Sequence, residues 1–132
     1  VASSTAMHVR TAHLDEVPAV MNVLDGAVLS IAVETVRAGA EDGGTLVAAS
    51  GDSETDGRIL GALVLNGSHI EAVAVRRSRR DQGIGTALVK AALDRRDRVT
   101  AEFDADVRPF YDALGFDIEP LDEPDRFRGE RA

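Results

Sequence analysis

The chain has 132 residues, enough for one compact domain with a real core and too few for two. It contains no cysteine, which excludes thiol nucleophiles, thiolate zinc sites and disulfides together and fits a reducing, cytoplasmic interior. Lys+Arg number 15 against Asp+Glu 23, a net charge of −8, and without a long basic stripe this balance excludes nucleic acid as the expected partner.

Residues 1–6 are neither basic nor apolar enough for a signal peptide, and no apolar run approaches the roughly 20 residues that cross a bilayer, so no membrane partner is expected. Met7 to Thr11 predicts a first strand, after which Asp15 can cap a helix carrying Val17, Val20, Met21 and Leu24 at helical spacing. Leu29 to Ala38 reads as a second helix, broken by the cluster Gly39 to Gly44. Thr45 to Ser50 and Arg58 to Asn66 read as a hairpin around the polar turn Gly51 to Gly57. Asn66-Gly67, the strongest two-residue hairpin signal, then joins that strand to His69–Val75, giving three antiparallel strands.

The period changes after this point. Ile84, Ala87, Leu88, Ala91 and Ala92 share one helical face from Gly83 to about Arg96. Val99 to Phe103 is the next strand, Val107 to Leu114 a short helix with Pro109 in its first turn, and Gly115 its stop before a strand at Phe116 to Ile118. One domain is expected over residues 7–121, with 1–6 and 122–132 as flexible, polar termini. The order predicts a mixed α/β (α+β) fold rather than a regularly alternating doubly wound sheet.

A strand that runs through a basic, glycine-containing loop into a helix is an anion site, because the first N–H groups of the helix have no partners within it. Gly83 and Gly85 let backbone approach the anion, and Arg76, Arg77, Arg79 and Arg80 add positive charge beside the helix N-terminus. A multiply phosphorylated ligand is expected. A dinucleotide fingerprint would need glycine or alanine where Leu88 stands, and a Walker loop would need Gly-Lys-Ser/Thr, which is absent.

Arg80-Asp81-Gln82-Gly83-Ile84-Gly85 resembles the pyrophosphate loop of the GNAT superfamily of N-acetyltransferases: Arg or Gln, two residues, Gly, one residue, Gly or Ala. The strand His69-Ile70-Glu71-Ala72-Val73-Ala74-Val75 is similar to the family strand that splays from its neighbour and pairs with the pantetheine arm. Phe110-Tyr111-Asp112-Ala113-Leu114-Gly115-Phe116 is similar to the family's second signature, a tyrosine on the short helix before the final strands. The resemblance spans roughly Thr45 to Glu119 and implies a GNAT acyl-CoA N-acyltransferase fold with a central, mostly antiparallel sheet flanked by helices. It implies acetyl-CoA as cofactor, held by Val73, Ala74, Val75, Arg80, Asp81, Gln82, Gly83, Ile84, Gly85 and Thr86, with no metal.

The implied reaction is N-acetylation of a primary amine on a small molecule or peptide, by direct attack in a ternary complex. Such a transfer needs an unprotonated amine, a polarised carbonyl and a proton for the departing thiolate. By resemblance Tyr111 is the general acid. His69 and Glu71, two apart on a strand and so expected on one face, are the base candidates. Asp104 stands where many members keep a cofactor-contacting asparagine, seven residues before the tyrosine; it either weakens cofactor contact from this strand end or serves the acceptor amine. A non-catalytic acyl-CoA sensor of the same fold is the alternative, and a homodimer is left open. With Lys90 the only lysine, the acidic, alanine- and valine-rich composition resembles that of proteins from salt-adapted organisms.

Overall fold

The computed structural model describes residues 7–26, 33–50, 59–76 and 83–132. Seven strands form one sheet: β1 (Met7–Thr11), β2 (Thr45–Ser50), β3 (Ile59–Asn66), β4 (His69–Val75), β5 (Val99–Asp104), β6 (Asp117–Pro120) and β7 (Arg126–Arg131). Their spatial order is β1-β2-β3-β4-β5-β7-β6. Every neighbouring pair is antiparallel except β4 and β5, which are parallel and joined through a helix, as a parallel crossover requires. The mixed, mostly antiparallel sheet flanked by helices agrees with the expected fold class.

Helices α1 (Val17–Gly26) and α2 (Val33–Asp42) cover one face; α3 (Ile84–Arg95) and α4 (Arg108–Ala113) cover the other. β2 and β3 therefore lie between two apolar layers and are apolar on both sides, which is why they read as continuous runs. Val20, Leu24 and Val36 pack on Val47, Ala62 and Val64 on one side. Leu88, Val89 and Ala92 pack on Leu46, Leu63 and Leu65 on the other. No helix among the described residues is long and apolar enough to cross a membrane.

Turn chemistry sets several boundaries where the sequence placed them. Gly67 (φ +63°) closes the β3–β4 hairpin, and Gly115 (φ +84°) ends α4, its N–H donating to the Asp112 carbonyl at 3.0 Å. Two local expectations change. The first helical turn begins earlier than an Asp15 cap allows, at a 3-10 turn over Leu14–Glu16, where the Glu16 carboxylate accepts the His13 N–H at 2.9 Å. Gly39 does not break α2: it lies inside the helix, and a Cβ there would collide with Thr45, whose hydroxyl donates to the Val36 carbonyl at 3.0 Å. The stop is Gly43 (φ +89°), its N–H bonded to the Gly39 carbonyl at 2.9 Å. The expected start of α2 at Leu29 and the turn Gly51 to Gly57 lie outside the described residues, as do residues 1–6.

The largest correction concerns the C-terminal residues. The segment read as a flexible polar end contributes β7, inserted between β5 and β6. Phe127 and Gly129 face the core while Arg126, Arg128 and Glu130 stand opposite Asp104, Glu102 and Thr100 of β5. The inward position at Gly129 is filled by the rings of Phe103 and Phe116, which come within 3.1–3.3 Å of where a Cβ would sit. β7 supplies space for aromatic neighbours instead of an apolar side chain, so its own residues carry little apolar periodicity.

Candidate active site

β4 and β5 pair only at His69↔Thr100 and Ile70↔Ala101. Beyond that point they separate, and the edge of β4 from Ala72 to Val75 faces a cavity of about 810 Å³. The β4 wall runs from Ile70 to Val75 and the β5 wall from Glu102 to Asp104; Gly83–Thr86 at the start of α3, Phe110 and Tyr111 of α4, and Asp106, Val107 and Arg126 also line it.

Gly83 caps α3 in the left-handed region (φ +80°, ψ 9°), and the first helical bond runs from the Ala87 N–H to its carbonyl at 3.0 Å. The N–H groups of Ile84, Gly85 and Thr86 precede that bond and have no partner within the helix, so they are donors beside the cavity. Gly85 also gives room at its side: Phe110 lies 3.5 Å from where its Cβ would be. Val73, Ala74, Val75, Gly83, Ile84, Gly85 and Thr86 thus line one cavity. Arg80, Asp81 and Gln82, like Arg77 and Arg79, lie outside the described residues. Arg76 is turned to the sheet, its Nε donating to the Ile59 carbonyl at 2.6 Å.

Tyr111 also lines the cavity. Its ring is stacked on Phe103 with centroids 4.3 Å apart and meets Phe110 and Phe116 edge-on, each at 5.0 Å. Burial among these rings pushes its hydroxyl up to about 12, so the group keeps its proton throughout the neutral range.

The two base candidates part company. A register shift between Val64 and Leu65 leaves Glu71 without a partner on β3, an extra residue that bulges from the strand. Ile70 joins the α3-side core and Ala72 the α1/α2-side core, so alternation is reset at Glu71 and counting by two from His69 fails. Glu71 lines the cavity, exposed, 3.4 Å from the Asn66 side-chain amide that donates to it. His69 does not line it; its Nδ1 is 2.9 Å from the Thr100 hydroxyl, where β4 and β5 are still paired.

Asp104 is not left as a bare carboxylate. Arg126 stands opposite it in register and donates to its Oδ1 at 2.9 Å, and both residues line the cavity. Sequence reasoning missed Arg126 because its strand was unseen. The available signal was indirect: a carboxylate expected near a phosphorylated ligand calls for a neighbouring cation, but nothing local says which of 14 arginines supplies it.

Similarities to known proteins follow the same lines. Solved structures with related folds include a GCN5-related N-acetyltransferase from Kribbella flavida, 17% identical with a TM-score of 0.70, matched over 87% of this chain and 34% of that one. Naa50 from Arabidopsis thaliana, solved with a bisubstrate analogue, is 14% identical with a TM-score of 0.76, over 96% of this chain and 98% of that one. Rv2747 from Mycobacterium tuberculosis, solved with CoA and NLQ, is 23% identical with a TM-score of 0.69, over 86% and 73%. The chain thus spans about a third of the Kribbella flavida protein and nearly all of Naa50. No curated protein matches the sequence. Residues 27–129, most of the chain, match the acetyltransferase (GNAT) domain, and the protein belongs to that family.

Proposed function

We propose that the chain transfers the acetyl group of acetyl-CoA to a primary amine of a small molecule or peptide by direct attack in a ternary complex. One observation carries this reading: the wedge between β4 and β5 brings an exposed carboxylate, Glu71, and a protonated phenol, Tyr111, to the same cavity as the open N-terminus of α3.

The residues present fit the cofactor. The β4 edge at Ala72–Ala74, past its pairing with β5, offers backbone donors and acceptors to a pantetheine amide chain, and the N–H groups of Ile84, Gly85 and Thr86 suit a pyrophosphate. Arg80, Asp81 and Gln82 complete that loop in this reading. When bound, acetyl-CoA supplies a thioester carbonyl open to attack. Glu71 takes a proton from the amine as the carbon–nitrogen bond forms, and the Tyr111 hydroxyl donates to sulfur as the carbon–sulfur bond breaks. His69, engaged with Thr100 away from the cavity, is left to hold the paired end of the wedge.

The test measures CoA release from acetyl-CoA across a panel of primary amines, for the parent and for Glu71→Gln. We expect amine-dependent release in the parent and a fall of about 10²–10⁴ in kcat for the variant, with the KM for acetyl-CoA nearly constant. Tight acetyl-CoA binding with no amine acetylated would instead identify a non-catalytic acyl-CoA-binding protein.

A further inference from the structure

Asp104 ends β5 and Arg126 opens β7, 22 residues later, and the antiparallel register sets them face to face. Their contact is an ion pair of 2.9 Å between partly exposed side chains, Asp104 at 66% and Arg126 at 34% exposure. A pair this open adds little to fold stability, because water already solvates both charges. Its position says more: the pair lines the same cavity as Gly83, Gly85 and Thr86.

The walls there are strongly acidic. Glu71, Glu102, Asp104 and Asp106 all border the cavity, and Arg126 is the one cation among the described lining residues. An anion entering beside α3 would meet these carboxylates as water leaves, and repulsion grows as solvent screening is lost. Glu102 and Asp104 lie on one face of β5, so the cation of β7 is placed against the acidic wall. The Asp104 hydrogen bond, with Glu123 and Glu102 nearby, keeps the Arg126 guanidinium firmly charged.

We propose that Arg126 is a positioning residue for the phosphorylated cofactor, acting through Asp104: by pairing with that carboxylate it removes a repulsion that would oppose an anionic ligand in the cavity. The inference rests on the acetyl-CoA reading above. It makes a signed set of expectations that neither a strand staple nor a direct phosphate ligand reproduces. Arg126→Gln uncovers the carboxylate and weakens binding. Asp104→Asn leaves Arg126 unpaired and strengthens binding. The double variant carries neither charge and returns to near the parent.

Calorimetric titration with CoA, in the parent and these three variants at low and moderate salt, tests it beside thermal melts without ligand. We expect Arg126→Gln to bind about tenfold more weakly, a change of about 1.4 kcal/mol. Asp104→Asn should bind a few-fold more tightly, and the double variant within about threefold of the parent, while differences shrink as salt rises. A melting temperature that falls in Arg126→Gln while CoA affinity stays put would overturn the proposal in favour of a strand staple. Failure of Asp104→Asn to rescue Arg126→Gln would overturn it in favour of direct contact between Arg126 and the ligand. A parent that binds no CoA would bring down the acetyl-CoA reading itself, and this inference with it.

Discussion

Replacing Gly83 separates what its backbone does from what its missing side chain does. At φ +80° an L-residue sits in the left-handed region, at a cost of about 1–2 kcal/mol. Among the described residues a Cβ at this position meets no atom within 4 Å, so the cost that follows from them is the conformational one. Gly83→Ala should therefore destabilise by about 1–2 kcal/mol, equivalent to roughly 3–8 °C in Tm for a domain of this size. Gly83→Asn should cost distinctly less, since asparagine tolerates this region, and the β-branched Gly83→Val should cost more. Urea titrations of the free proteins would show the midpoint moving in the order Gly, Asn, Ala, Val with an unchanged slope. CoA affinity, measured well below each Tm, should fall in the same order, because the left-handed cap aims the N–H groups of α3 and valine adds bulk where backbone must approach phosphate. Equal stability of the alanine and asparagine variants would refute the conformational argument. A valine variant that bound CoA like the parent would remove this helix start from the anion site.

Three further outcomes follow from particular residues. Because burial holds the Tyr111 hydroxyl near 12, the rate–pH profile should show no falling limb from this group between pH 7 and about pH 10, and Tyr111→Phe should lower kcat with little change in acetyl-CoA affinity; an unchanged kcat at saturating acceptor would leave Tyr111 a packing residue. Glu16 is held below the ordinary carboxylate range, first by its hydrogen bonds from Arg10 at 2.7 and 2.8 Å and then by the His13 N–H, against an opposing effect of burial. A depressed folded value stabilises above the unfolded one and is lost as pH falls through it, so Glu16→Gln should cost about 1.5–3 kcal/mol at pH 7 and progressively less below about pH 4.5; a gap constant down to pH 3 would contradict this. Finally, the net charge of −8 repels itself over a Debye length of about 30 Å at roughly 0.01 M salt and about 3 Å at 1 M, so we propose that Tm rises substantially from dilute to molar KCl, and a flat or falling series would reject salt adaptation.

The sequence by itself determined what depends on neighbours along the chain. Short apolar runs located β1 to β5 and a 3.6-residue apolar period located α3, while turn chemistry at Asn66-Gly67 set the β3–β4 junction and Gly115 the end of α4, because a positive φ is a local demand that glycine meets whatever packs above it. The glycines that open α3 and the tyrosine of α4, on which the proposed site rests, stood out for the same reason: each belongs to a short run with a recognisable spacing of its own. Tertiary structure decided the rest. β7 is a strand because it pairs with β5 and β6, and the space over its Gly129 is filled by Phe103 and Phe116; all of these partners are apart from it in sequence. Glu71 leaves the face predicted from His69 because β3 and β4 slip by one residue between Val64 and Leu65, and no period within β4 records a slip against its partner. Asp104 acquires Arg126 only when β5 and β7 come together in register. Periodicity reports how one segment meets an average apolar layer, whereas a bulge, a filled void and a cross-strand ion pair each depend on which particular residues the fold sets opposite one another.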